Sequence, residues 1–365
     1  MSIIQPGHYQ VLPTVDEQNQ PIFSVLVKRT YNIQAGTKAK RAAKDRPLLG
    51  YHEYYGNGDP QSDTIKFEKD EIPYKLATDI VFIGKAYTPG GQPACSCSVI
   101  LKVGEHQKRL MITGNQFCHY RAGREPLISD PMLFREMEIR YEKAYGGIDN
   151  QSDQNQVYRY PRNPFGTGFV IKNTKASVEG LQLPNIEYVK DQLTPERIIV
   201  GDIKNWNQQP LPQGLGWYDA AWYPRSSYLG IVPASVQMGT VMREALLGLV
   251  PTNQVELARA FKLPSLDFRF FNGASLRLVV PYLRGDEQVF LSHLTPECTL
   301  NFQLPDDKPV ILMDIGFGEQ SLSPVLQTLT LRGEDQELDI VWRGACPYNG
   351  IDWLPQMTKM QIHVE

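Results

Sequence analysis

The chain has 365 residues, of which 42% are hydrophobic and 21% charged, with a formal net charge of −3. This composition supports a sizeable core, and the length predicts two lobes or one large β domain with additions. Without a global positive field the chain is not expected to hold nucleic acid, and no apolar run approaches the ~20 residues that span a bilayer.

The opening MSIIQPGHYQVLP has neither a basic start nor a long apolar stretch, so it does not read as a signal peptide, and a cytoplasmic protein is expected. Glycine (29) and proline (27) are frequent, alternating patterns are common and helical periodicity is rare, which predicts β structure with many turns. In chain order, Phe23–Tyr31 is the first clear strand. Lys38–Arg46 (KAKRAAKDR) reads as a solvated basic loop. Asp79–Tyr87 is a strand with a bend at Gly84, and Ser98–Thr113 is a hairpin with Gly104-Glu105 at its tip. Met137–Tyr145 alternates, with Met137, Ile139 and Tyr141 on one face and Glu136, Glu138, Arg140 and Glu142 on the other. The polar stretch Asp149–Gln156 is the most linker-like, placing a division into lobes 1–150 and 151–365, or else one continuous domain. Val241–Phe261 is the best helical segment, with Thr252 or Asn253 as a cap and Val255, Ala258 and Phe261 on one face. Strands follow at Ser275–Tyr282, Gln288–Ser292 and Val310–Ile315, then a hairpin over Leu326–Trp342 turning at Gly333–Gln336.

The chemical motifs are weak. RNPFGTGF (Arg162–Phe169) lacks the third glycine of a dinucleotide fingerprint and is followed by strand-forming residues, so it reads as a turn in which Gly166 and Gly168 permit positive φ. No G-x-S-x-G elbow and no P-loop occur. The five cysteines, Cys95, Cys97, Cys118, Cys298 and Cys346, have no zinc spacing and read as reduced thiols, so neither metal nor cofactor is expected. Arg284-Gly285-Asp286-Glu287 reads as a turn. The strand carboxylates and the tryptophan-rich stretch around Trp206, Trp217 and Trp222 leave a sugar-binding or glycoside-processing protein as an alternative, to be tested by Glu138→Gln.

An ordered set of segments resembles the bacterial domain-of-unknown-function family 2169. It comprises ATDIVFIGKAYTP (Ala77–Pro89), MEIRYEKAYGG (Met137–Gly147), NPFGTGF (Asn163–Phe169), LPNIE (Leu183–Glu187) and WYPR (Trp222–Arg225). It continues with LDFRFFNGAS (Leu266–Ser275), LRGDEQVFLSHL (Leu283–Leu294), LNFQLP (Leu300–Pro305) and DIVWRG (Asp339–Gly344). The chain departs from the family after W-x-P-R, where Ser226–Leu263 replaces the usual Gly-Thr-Tyr-Asp stretch and tryptophan.

The resemblance implies a non-enzymatic adaptor, or chaperone, of type VI secretion. Its partners would be a toxic effector, the proline-alanine-alanine-arginine tip protein or the valine-glycine-repeat spike protein. A structural part of the secretion machine is a further alternative. The expected architecture is antiparallel and sandwich-like, with long loops and a small helical insertion near 241–262. Tyr141, Glu142, Tyr145, Gly146 and Gly147 are expected to hold that architecture, as are Asn163, Pro164, Gly166, Gly168 and Phe169. Asp267, Asn272, Gly285, Asp286 and Glu287 complete that set. Trp217, Trp222, Arg225 and Leu247 are the candidate partner anchors, and Trp222→Ala is expected to weaken cargo binding by ~2 kcal/mol.

Overall fold

The alternation in the sequence becomes two large sheets in the computed structural model, which describes residues 9–18, 20–229, 267–348 and 360–365 and the backbone of 3–4. The first sheet runs Ile3–Ile4, Tyr9–Val15, Pro21–Asn32, Glu337–Pro347, Val325–Arg332, Thr78–Ile83 and Val279–Val280, with Lys40–Arg41 paired beside Pro21–Asn32. Its pairing is antiparallel except between Val325–Arg332 and Thr78–Ile83, which run parallel. The second sheet, Ile186–Tyr188, His106–Thr113, Ser96–Val103, Gln288–Ser292 and Thr299–Gln303, is antiparallel throughout. A smaller sheet joins Gln320–Leu322, Ile311–Asp314 and Gln361–Val364. The fold is mainly β. Both large sheets draw strands from either side of residue 150.

Period-two side-chain direction explains the packing. Phe23, Val25 and Val27 from one strand, and Leu329, Leu331, Leu338 and Ile340 from the hairpin beside it, enter one core cluster with Val99, Leu101 and Leu110 of the second sheet. The intervening residues of the first sheet are polar yet also buried, under the segment that precedes Thr78. Lys28 pairs with Asp70 at 2.7 Å, and Arg332 and Thr30 share Asp339. The central strands are therefore covered on both faces.

Several expectations are met closely. The hairpin Ser96–Val103 with His106–Thr113 turns at Gly104-Glu105, and Val325–Arg332 with Glu337–Pro347 turns over 333–336. The strand after Asp79 breaks at Gly84. Others are corrected. The Met137–Tyr145 pattern is not one strand: Glu136–Glu138 and Tyr145–Gly146 are short strands, and Tyr141–Lys143 between them forms a 3-10 turn. The burial alternation survives that change, because Met137, Ile139 and Tyr141 are all buried. The strand expected over Ser275–Tyr282 shrinks to Val279–Val280, because Arg277 adopts a left-handed φ of 71° that ends the extended run. The basic stretch is paired rather than merely solvated: Arg41 contacts Asp45 and Asp307, and Arg46 contacts Asp335 and Glu337. The linker-like stretch is tied down by Asp149, which accepts backbone N–H bonds from Gln151, Ser152 and Ile171. Among the described residues the α-helices Lys175–Val178 and Pro195–Ile198 are single turns and Ile203–Gln208 is a short 3-10 helix, and the predicted helix over 241–262 lies outside the described residues.

Candidate functional site

The family-like segments meet one another. Asp79, fully buried, accepts from Lys75 Nζ (2.7 Å), Asn272 Nδ2 (3.1 Å), the Gly273 N–H (3.0 Å) and the Ala274 N–H (3.3 Å). Asn272 also bonds the Leu76 N–H and the Ala77 carbonyl, so the segment after Asp267 is stitched to the start of the Thr78–Ile83 strand. Asp267 caps the 3-10 turn Phe268–Phe271 by accepting from the Arg269 N–H. Asn163 is buried and donates to the carbonyls of Tyr141 and Tyr145, while Tyr145 and Gly146 pair in parallel with Thr167 and Gly168. A Cβ on Gly146 would lie 2.1 Å from the Asn163 oxygen, and one on Gly166 would lie 2.5 Å from the Ala144 oxygen. The two segments therefore interlock only without those side chains. Of the two glycines expected to take positive φ, only Gly168 does, at 94°; Gly166 is required for space.

Glu142 receives the backbone and side-chain donors of Thr64. Glu287 accepts from the Arg284 and Gly285 N–H groups, Asp286 pairs with Arg284, and Gly285 packs beside the Trp342 ring. Phe169 is buried beside Tyr160, and Pro164 lies in the turn between Asn163 and Phe165.

The proposed anchors are placed differently from expectation. Trp217, Trp222 and Arg225 are 4%, 2% and 5% exposed. Trp222 packs edge-on against Tyr141 and Tyr218, and Lys75 Nζ lies 4.9 Å from the centre of the Trp217 ring. Arg225 donates to Glu68 Oε1 (2.6 Å) and to the carbonyls of Tyr218 (2.6 Å) and Phe270 (2.8 Å). Their side chains are occupied inside the fold, because aromatic surface that finds intramolecular partners is buried with them. Leu247 lies outside the described residues.

Directly over this internal network lies an open groove of about 510 Å³. Leu76, Leu211, Pro212, Leu276 and Val279 supply apolar lining, and Leu276 is 56% exposed. Tyr218, Tyr223 and Tyr228 add aromatic wall. Among the described residues four arginines line it, Arg162, Arg225, Arg269 and Arg277, and no carboxylate does. Arg225 is neutralised by Glu68 and Arg269 by Asp267. Arg162 lies over the Trp206 ring, and Arg277 lies over the Tyr188 ring and donates to its hydroxyl (2.5 Å). Neither has a carboxylate partner among the described residues. Behind Arg277, Lys108 donates to Ser275 Oγ (2.6 Å) and the Leu276 carbonyl (2.9 Å). Burial, and secondarily the Arg277 charge, lowers the Lys108 pKa to about 7.

Arg225, one of the expected partner anchors, lines the groove, but the lining as a whole escapes sequence reasoning because it comes from four separate segments. Leu276 and Arg277 in particular read as strand residues, and only the left-handed backbone at Arg277 turns them outward. Lys108 carried a readable signal, since it alternates with Leu110 and Ile112 and so must share their inward face.

No curated protein and no solved structure matches the chain. One family model matches residues 18–343, that of the family described as "uncharacterized protein conserved in bacteria", domain of unknown function 2169. With the match covering nearly the whole chain and the family-like segments bonded to one another around Asp79 and Asn163, the protein belongs to this family.

Proposed function

We propose that the protein is a non-enzymatic adaptor of type VI secretion. It binds a toxic effector, or the tip or spike protein that carries the effector, in the cytoplasm of the producing cell and assists its loading. The observation that carries this reading is the arginine-rimmed apolar groove. It offers aromatic walls, polar edges and exposed aliphatic surface at Leu211, Leu276 and Val279, the composition of a protein-recognition surface. The buried polar clusters around Asp79 and Asn163, by contrast, bond segments of the chain to one another and serve as scaffold. The sugar-binding alternative draws on the tryptophan stretch and the strand carboxylates; Trp206, Trp217 and Trp222 are all buried, whereas Glu136 and Glu138 are accessible and keep Glu138→Gln as its test.

The test is recovery of partners from the producing bacterium with its secretion system active. The chain, tagged, should bring down a secreted toxin or a spike or tip protein identifiable by mass spectrometry, and should itself stay in the cell. Recovery of the chain in the secreted fraction with the spike would instead make it a part of the machine. A folded chain that brings down none of these proteins would overturn the adaptor reading.

A further inference from the structure

Charge and shape in the groove narrow what it can hold. The lining presents aliphatic surface at Leu76, Leu211, Leu276 and Val279, the last three exposed to solvent. Two guanidinium groups, Arg162 and Arg277, share this lining, with no carboxylate partner and no lining carboxylate among the described residues. Both are held by stacking on buried or half-buried rings, so their planes are oriented in advance and lose little freedom on meeting an anion. Arg277 keeps this position in a left-handed backbone that a side-chain-bearing residue rarely adopts. An apolar surface flanked by oriented, unneutralised arginines complements a chain segment that carries aliphatic or aromatic side chains and carboxylates together.

We propose that this groove binds an acidic, apolar-faced peptide segment of the partner protein, with the apolar side chains on Leu211, Leu276 and Val279 and the carboxylates on Arg162 and Arg277. This inference rests on the adaptor reading for the identity of the partner, but the groove's preference can be measured without it. A nucleic acid would satisfy the arginines and stack on the tyrosines, yet it would leave the aliphatic lining of Leu211, Leu276 and Val279 without an apolar partner.

The probe is a fluorescent 15-residue peptide of Glu, Leu, Phe and Ala, compared with its counterpart carrying Lys at each Glu and with a single-stranded oligonucleotide, using the full chain. The acidic peptide should bind at least tenfold more tightly than the other two. Arg162→Glu with Arg277→Glu should weaken it at least tenfold, while Phe317→Ala, which alters an exposed side chain that does not line the groove, should leave it unchanged. In a Leu276→Cys chain, maleimide labelling at residue 276, read by peptide mass spectrometry, should be fast alone and slowed by the acidic peptide. Equal binding of both peptides, preference for the oligonucleotide, no binding, or labelling already blocked in the chain alone would each overturn the proposal; the last would mean that this chain or a second copy fills the groove.

The two readings separate cleanly. Recovery of a toxin from cells that is unaffected by the double arginine variant keeps the adaptor and discards the groove. Peptide binding without any secretion partner keeps the groove and discards the adaptor.

Discussion

At the scale of single residues, the buried charges dominate. Lys75 lies between Asp79 and Glu68, 2.7 and 3.7 Å away, with all three side chains out of water. Removing one partner strands the other charge, so Asp79→Ala is expected to lower stability by about 3–5 kcal/mol in denaturant unfolding. Trp222, expected from the sequence to anchor cargo, fills a cluster with Tyr141, Tyr218 and Phe165. Trp222→Ala should therefore cost about 3–5 kcal/mol of stability, measured by the same unfolding curves, in place of a specific loss of binding.

Two further buried groups set a pH profile. Burial raises Glu187 from 4.5 to about 7, so between those values the unfolded chain is ionised while the folded chain keeps its proton, and stability falls as pH rises. Lys108 is lowered from 10.5 to about 7, so over that range the unfolded chain keeps its proton while the folded chain releases it, and stability rises with pH. Their combined contribution is least favourable near pH 7. Unfolding titrations across pH should show the lower limb flattened in Glu187→Gln and the upper limb flattened in Lys108→Met.

At the scale of elements, the informative unit is the interlock between the AYGG segment (144–147) and NPFGTGF (163–169). Gly146→Ala places a methyl 2.1 Å from a backbone oxygen, whereas at Gly36, also at positive φ (72°), the position a Cβ would take has nothing within 4 Å. Gly36→Ala should cost about 1–2 kcal/mol from backbone strain alone. Gly146→Ala adds a steric clash that no rotamer relieves, and thermal melts should show a much larger loss or no folded protein. The hairpins are legible because turn chemistry is local: Gly104-Glu105 joins strands in unbroken register, and 333–336 joins strands whose register is unbroken from Thr328 to Val341, with a bulge only farther from the turn at Leu326–Thr328. The Ser275–Tyr282 strand misled because its ending depends on the conformation of Arg277, which no residue pattern announces.

At the scale of the whole molecule, the first sheet closes between the two ends of the chain. Glu337–Pro347 is central, flanked by Pro21–Asn32 and Val325–Arg332. A chain ending at residue 336 would expose the edges of two buried strands and lose Leu338, Ile340 and Trp342 from the core. It is expected to show no cooperative unfolding transition and rapid proteolysis, whereas the intact chain is expected to show both a transition and resistance. Among the described residues no helix is long and apolar enough to cross a membrane. The groove belongs to this scale too, since its lining gathers from residues 76–77, 162, 211–228 and 269–279.

The sequence by itself determined the mainly β character, the hairpins and the family, because side-chain alternation, turn residues and ordered motifs are all written locally along the chain. Only the tertiary structure decided which tryptophans and arginines are scaffold and which surface is open. Burial and charge pairing are properties of residues brought together across long separations: Arg225 meets Glu68, Asp79 meets Asn272, and Arg162 and Arg277 meet no carboxylate among the described residues.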